Sequence, residues 1–189
     1  HGCPPLSPEL QEESIALTME GTANLFIRAY HLPETPAEIC AEVNGLMAEH
    51  YRSDVPLKPG AEAFLERLKA AGVQMCIASS TTPELIDICL RRLGVRDYFA
   101  FLLSCEEVGE GKNKPAVYLE AIRRLGGTPE NTVIFEDILV AAQTAKKAGF
   151  SLGVIYDVNS DAEQPQLKAL ADCWFTRWDD PALPAWLGV

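Results

Sequence analysis

From Pro59 onward the chain alternates short apolar runs with amphipathic stretches that end in glycine, and few architectures accept that order. The spacing predicts helices over 60–71, 83–93, 115–125, 138–148 and 163–171, interleaved with strands over 73–79, 100–104, 132–136, 151–156 and 173–176. Glycine follows four of these helices, at Gly72, Gly94, Gly126 and Gly149, where a left-handed residue lets the backbone leave a helix. Strands joined through helices run parallel, so the pattern predicts an α/β fold with a parallel sheet and helices on both faces. The run Val133-Ile134-Phe135, apolar without polar alternation, suits a strand covered on both sides.

The first 52 residues read as mostly helical. Ile15, Met19, Ala23, Phe26 and Tyr30 recur every three or four residues and predict one helix between Leu10 and Tyr30. Glu20-Gly21-Thr22 weakens that helix and reads either as a helix junction or as a substrate-facing loop. Thr35-Pro36-Ala37-Glu38 supplies an N-cap, a proline at the first helical position and an acid in the first turn. Ile39, Val43, Leu46 and Met47 then predict one apolar face. Ser53 to Pro59 is the expected hinge, which divides the chain into a helical unit, 1–52, and an α/β unit, 53–189.

Composition removes several function classes. The 189 residues are 48% hydrophobic, ample for a core, yet no apolar run approaches the roughly 18 residues of a membrane span. With no basic n-region before an apolar stretch either, a cytoplasmic location is expected. A formal charge of −11 without a compensating Lys/Arg cluster argues against nucleic-acid binding, which needs a basic patch. The six cysteines form no C-x-x-C pair and are expected as reduced thiols. His1, His31 and His50 are far from one another in the chain, which disfavours a zinc site or a histidine base.

Three segments carry candidate chemistry. Val133–Phe135 runs into Glu136-Asp137, two carboxylates at a strand end, and a strand end in an open α/β sheet is where ligands bind. Such acids suit Mg²⁺, which takes oxygen ligands and often uses only one or two protein carboxylates. Ser79-Ser80-Thr81-Thr82 precedes Pro83 at a helix start, where hydroxyls and free amides can hold a phosphate, although Thr82 also reads simply as an N-cap. Gly109-Glu110-Gly111-Lys112-Asn113-Lys114-Pro115 is not a P-loop, because Glu106 stands where its first glycine belongs and no Ser or Thr follows Lys112. Lys112 instead reads as a single cation reaching over the sheet edge, and Lys114 as a solvated surface residue. No G-x-G-x-x-G follows any strand, which disfavours dinucleotide binding.

The order of a strand ending at Ser79, Lys112 six residues before Tyr118 with Pro115 between, and Phe135-Glu136-Asp137 resembles the haloacid dehalogenase (HAD) superfamily. Pro59-Gly60 through Gly72 is similar to the helix that its β-phosphoglucomutase-like phosphatases place before the second motif. The resemblance implies a Rossmann-like core with a small helical cap, and an Mg²⁺-dependent phosphatase for a small phosphorylated metabolite such as a sugar phosphate. A sugar phosphate mutase is the close alternative, and a non-catalytic phosphate- or metal-binding protein the alternative from another class. By the same resemblance Ser79, with Ser80 beside it, binds the phosphoryl group and Lys112 stabilises it. Asp137 binds Mg²⁺ with Glu136 as the neighbouring acid. Ile138 and Ala141 depart from the Ser and Gly that the family often has there.

The family's first motif, an apolar strand ending in Asp-x-Asp-Gly-Thr that supplies the nucleophile, is absent from these residues. Asp54 and Asp97 follow no apolar strand and do not replace it. With His1 at the start, the expectation is an N-terminally truncated, inactive enzyme whose central strand is missing between strands 73–79 and 132–136. Its absence leaves either a slot with unpaired backbone groups or a rearranged sheet.

Overall fold

The computed structural model describes residues 1–15 and 17–189. Three helices come first: α1 (Pro8–Ser14), α2 (Met19–Tyr30) and α3 (Pro36–Ser53). The α/β part follows as α4 (Ala61–Ala70), β1 (Met75–Ser79), α5 (Pro83–Arg92), β2 (Phe99–Ser104), α6 (Cys105–Val108), α7 (Ala116–Leu125), β3 (Val133–Glu136), α8 (Leu139–Lys147), β4 (Ser151–Ile155), α9 (Gln164–Leu170), β5 (Cys173–Phe175) and α10 (Ala182–Leu187). Every strand and helix expected after Pro59 is present, and all strand pairings are parallel.

The N-terminal helices differ from expectation. The single helix through Ile15 and Tyr30 is two, because Thr18 caps a new start by accepting the Gly21 amide. Glu20-Gly21-Thr22 is therefore the first turn of α2, neither a junction nor a loop, and Ile15 lies outside it, 39% exposed. The start of α3 follows the sequence signature: Thr35 accepts the Glu38 amide while Glu38 accepts the Thr35 amide. Of its expected apolar face Ile39 is buried, whereas Leu46 is 65% exposed and Ala48 is buried instead.

The strands form two sheets. β1 and β2 pair in one, with Ser79 opposite Ser104, and β3, β4 and β5 form the other, with Glu136 opposite Val154. Between them lies a cavity of about 920 Å³ bordered by Met75–Ala78 of β1 and Val133–Glu136 of β3. Of the two outcomes open for a sheet without its central strand, the fold keeps the slot. Burial records it: no residue of β1 is fully buried, while Leu152 and Val154 of β4 are completely inaccessible.

Helices hold the halves together. α7 buries Val117, Tyr118, Ala121 and Ile122 on one stripe, packed with Leu103 of β2 and with Leu152 and Val154 of β4. On the opposite side Phe64 and Leu68 of α4 join Ile155, Phe175 and Leu183. Phe64, Phe135, Phe175 and Trp178 form an aromatic cluster there, with Trp178 5.2 Å from each of the other three ring centroids. Gly153 makes room for it, since a Cβ at that position would meet Phe135 Cε1 at 2.5 Å. The C-terminal segment returns to the hinge: the Trp178 amide donates to the Pro59 carbonyl at 3.2 Å. Gly60, at φ +83°, lies so close to Asp179 that a Cβ would come 2.5 Å from its amide nitrogen.

Candidate active site

Ser79 is the last residue of β1 and Glu136 the last of β3. Lys112, on the loop after α6, extends its ammonium to Glu136 Oε1 at 2.6 Å. This contact fixes the C-terminal ends of both sheets on one side of the molecule, so Ser79, Ser80, Lys112, Glu136 and Asp137 share one rim. The rim is continuous: the Ser80 hydroxyl donates to Cys105 Sγ at 3.6 Å, and Cys105 lies within electrostatic reach of both Lys112 and Glu136. Ser79 Oγ accepts the Thr81 amide at 3.1 Å, which turns the loop tightly after β1. Thr82 occupies the N-cap position of α5 without a side-chain cap bond, and Lys114 pairs with Glu110 in solvent, matching the plain readings of both.

Glu136 is 5% exposed, and its Oε1 also accepts the Tyr118 hydroxyl at 2.8 Å. A buried carboxylate needs such partners, because losing water without compensation costs several kcal/mol. Burial works against the Lys112 ammonium, but the Glu136 charge and hydrogen bond outweigh it and hold its pKa above the ordinary lysine value. The Tyr118 hydroxyl is pushed well up by burial and then by Glu136, so it stays a donor. Asp137, partly buried, is raised first by burial and then by Glu136, with Asp157 adding to the effect and Lys58 and Lys112 opposing it.

Three participants escaped the sequence reading. Lys58 places its ammonium 2.6 Å from Asp157 Oδ2 and 3.7 Å from Asp137 Oδ2. Asp157 is held below the usual carboxylate range by the Lys58 hydrogen bond and the Asn159 amide. Asp157 follows the apolar run of β4 just as Glu136-Asp137 follow that of β3, so the strand-end rule that picked out one pair applied equally to the other acid. Tyr118 entered only as a spacing mark, although a tyrosine on the buried stripe of a helix calls for a hydrogen-bond partner.

The donor set suits a hard cation. Asp137 offers a carboxylate raised by burial, and Lys58 shows that a positive charge settles between Asp137 and Asp157. No cluster of three or more His, Cys, Asp or Glu able to hold a metal occurs among the described residues. Mg²⁺ completes its octahedron with water and phosphate oxygens, so one or two carboxylates suffice. Oε1 of Glu136 is already committed to Lys112 and Tyr118.

Parallel strands, helices on their faces and a rim carrying hydroxyl, lysine and paired acids define a hydrolase-type α/β centre. Residues 7–149 match the haloacid dehalogenase-like hydrolase family model, and the chain belongs to that family. It is 34% identical over 115 residues to a phosphorylated carbohydrates phosphatase of Thermotoga maritima, covering 60% of this chain and 53% of that protein. It is 27% identical over 177 residues to a probable pseudouridine-5'-phosphatase of Drosophila melanogaster, covering 87% and 75%. A crystal structure of CbbY from Rhodobacter sphaeroides in complex with phosphate superposes with a TM-score of 0.78 at 26% identity, covering 96% of this chain and 81% of that one. The same protein in complex with xylulose-1,5-bisphosphate gives 0.76 at 26% identity, covering 91% and 77%. The chain spans about half the length of the first curated relatives it matches. Among the described residues, no helix is long and apolar enough to cross a membrane.

Proposed function

We propose that the chain forms the phosphoryl-binding part of a cytoplasmic phosphatase centre for small phosphorylated metabolites of the sugar phosphate kind. The observation that carries this reading is the Lys112–Glu136 contact, which brings a lysine from behind one sheet to the acidic end of the other, on the rim that holds Ser79. Phosphatases among the relatives support it, as does CbbY in complex with phosphate and with a sugar bisphosphate. The free state of all six cysteines accords with a reducing compartment.

In this reading the Ser79 hydroxyl donates to a phosphoryl oxygen, with Ser80 next to it. Lys112, oriented by Glu136 and Tyr118, neutralises charge on the equatorial oxygens. Asp137 would hold Mg²⁺, which when bound neutralises further phosphoryl charge. The helices of residues 1–52 act as a cap that closes over substrate and excludes water.

The attacking carboxylate is not among these residues. Asp54 caps α3 and bonds His50, and Asp97 sits in a short 3₁₀ turn at residues 96–98. These 189 residues are therefore expected to bind inorganic phosphate with Mg²⁺ but not to turn over phosphate esters. Calorimetric phosphate titration of the chain and of Ser79→Ala and Lys112→Gln, alongside an assay with sugar phosphates, tests this. Weakened binding in both variants without turnover is the expected result. Unchanged binding in both removes the site, and robust turnover removes the account of the nucleophile.

A further inference from the structure

The slot between β1 and β3 is the largest feature of the molecule that phosphate binding does not use. We propose that it is a binding site for an extended apolar peptide of about five residues, which enters as a parallel strand and joins the two sheets into one. The proposal stands on backbone geometry and goes beyond the phosphatase reading, and either can fail without the other.

Direction is set by what is already described. β1 runs parallel to β2 and β3 to β4, and the Lys112–Glu136 contact puts the carboxyl ends of both sheets on one side. The facing edges of β1 and β3 therefore run the same way. Among the described residues β1 pairs only with β2 and β3 only with β4, so each presents an open row of amides and carbonyls to the cavity. An added strand between two parallel neighbours satisfies both rows at once, which a compact small molecule cannot do. A helix is about 10 Å across with its side chains, too wide for a gap that one strand spans.

The walls specify the residues. One face of the slot is formed by Tyr118, Ala121 and Ile122 of α7, and the other by Phe64, Leu65 and Leu68 of α4. Side chains of a strand alternate between faces, so both faces call for apolar residues. Gln74, Asn131 and Thr132 mark the entry at the amino-terminal ends of β1 and β3, and Lys58 and Glu136 the exit at the active-site rim. β1 has five residues and β3 four, which sets the length.

The occupant comes from outside these 189 residues. All five strands already stand in the two sheets, and extended residues 1–7 contain Pro4 and Pro5, which have no amide to give a ladder. The relatives carry sequence with no counterpart here, since the chain covers 53% of the Thermotoga maritima phosphatase and 77% of CbbY.

The test adds the blocked peptide Lys-Val-Val-Ile-Val-Val-Lys to the 189-residue chain and follows amide hydrogen exchange residue by residue. The expected result is saturable binding that slows exchange at Ile77, Ala78, Ile134 and Phe135 by about tenfold or more. A peptide with proline in place of the central isoleucine should give no such protection, because it lacks an amide and fits a ladder poorly. The proposal is overturned if the four amides are unaffected at millimolar peptide, or if the proline peptide protects them equally. It is also overturned if, without peptide, they already exchange as slowly as those of Leu152 and Val154. Should the chain alone be unfolded, a peptide-dependent gain of helical circular dichroism is the expected outcome, and its absence overturns the proposal.

Discussion

Replacing Lys112 by Met, Glu136 by Gln, and both together gives a double-mutant cycle on the contact that holds the rim. The two charges are 2.6 Å apart, with side chains 17% and 4% exposed. At an effective dielectric of about 20 their attraction is about 6 kcal/mol, set against a desolvation penalty of several kcal/mol for each ion. The net value of the pair is therefore small, whereas breaking it is costly. Lys112→Met leaves the Glu136 carboxylate buried with the Tyr118 hydroxyl as its remaining hydrogen-bond donor, which should cost about 3–5 kcal/mol. Glu136→Gln should cost about 2–3 kcal/mol, because the long lysine stem can carry the freed ammonium toward water. The double variant has no buried charge to strand and should lose less than the sum by about 2 kcal/mol or more. Urea denaturation near pH 7, followed by tryptophan fluorescence, measures all four proteins. Losses that add to within about 0.5 kcal/mol would refute the argument that Glu136 depends on Lys112. If a single variant fails to fold, a folded double variant carries the same meaning, and a double variant no more stable than the worse single refutes it.

Gly153→Ala should lower stability by about 1–3 kcal/mol, seen as a reduced melting temperature, because the new Cβ meets Phe135 at 2.5 Å. Phe135 cannot swing aside while its ring is packed against Phe64, Phe175, Trp178 and Trp186, so an unchanged melting temperature would show that the cluster is looser than described. The Cys76 thiol is pushed up to about 11 by burial, with Arg124 opposing. Since only the thiolate reacts, its alkylation near pH 8 should be about two-hundredfold slower in the folded chain than in urea, with the folded rate climbing as pH rises toward that value. Equal rates at Cys76 in the two states, read by peptide mass spectrometry, would contradict this.

The α/β part was legible because its signals are local. Apolar runs ended where strands end, so that Ser79 and Glu136 were read correctly as strand termini, and the glycines after α4, α5, α7 and α8 all adopt positive φ. Local signals were also overlooked. Ser7-Pro8-Glu9 carries the same start signature as Thr35-Pro36, and Ser104 with Glu107 forms the capping box that opens α6. The ion pairs of Lys58 with Asp137 and Asp157 join residues far apart in the chain and leave no periodic trace, which is why the hinge was read only as a boundary. The fate of the sheet was illegible for another reason. A missing motif does not say whether its neighbours collapse, and that depends on α7, whose side chains touch strands of both sheets and whose Tyr118 bonds the end of β3.

The bond from Trp178 to Pro59, and the seat of Gly60 against Asp179, tie the start of the α/β unit to its closing segment. During vectorial synthesis the joint beneath the helical region thus stays unlocked until residues near 180 have left the ribosome. Quality control of this polypeptide is accordingly weighted toward its last-made stretch: a nonsense codon that removes only that stretch would spare every side chain on the catalytic rim and still release the joint.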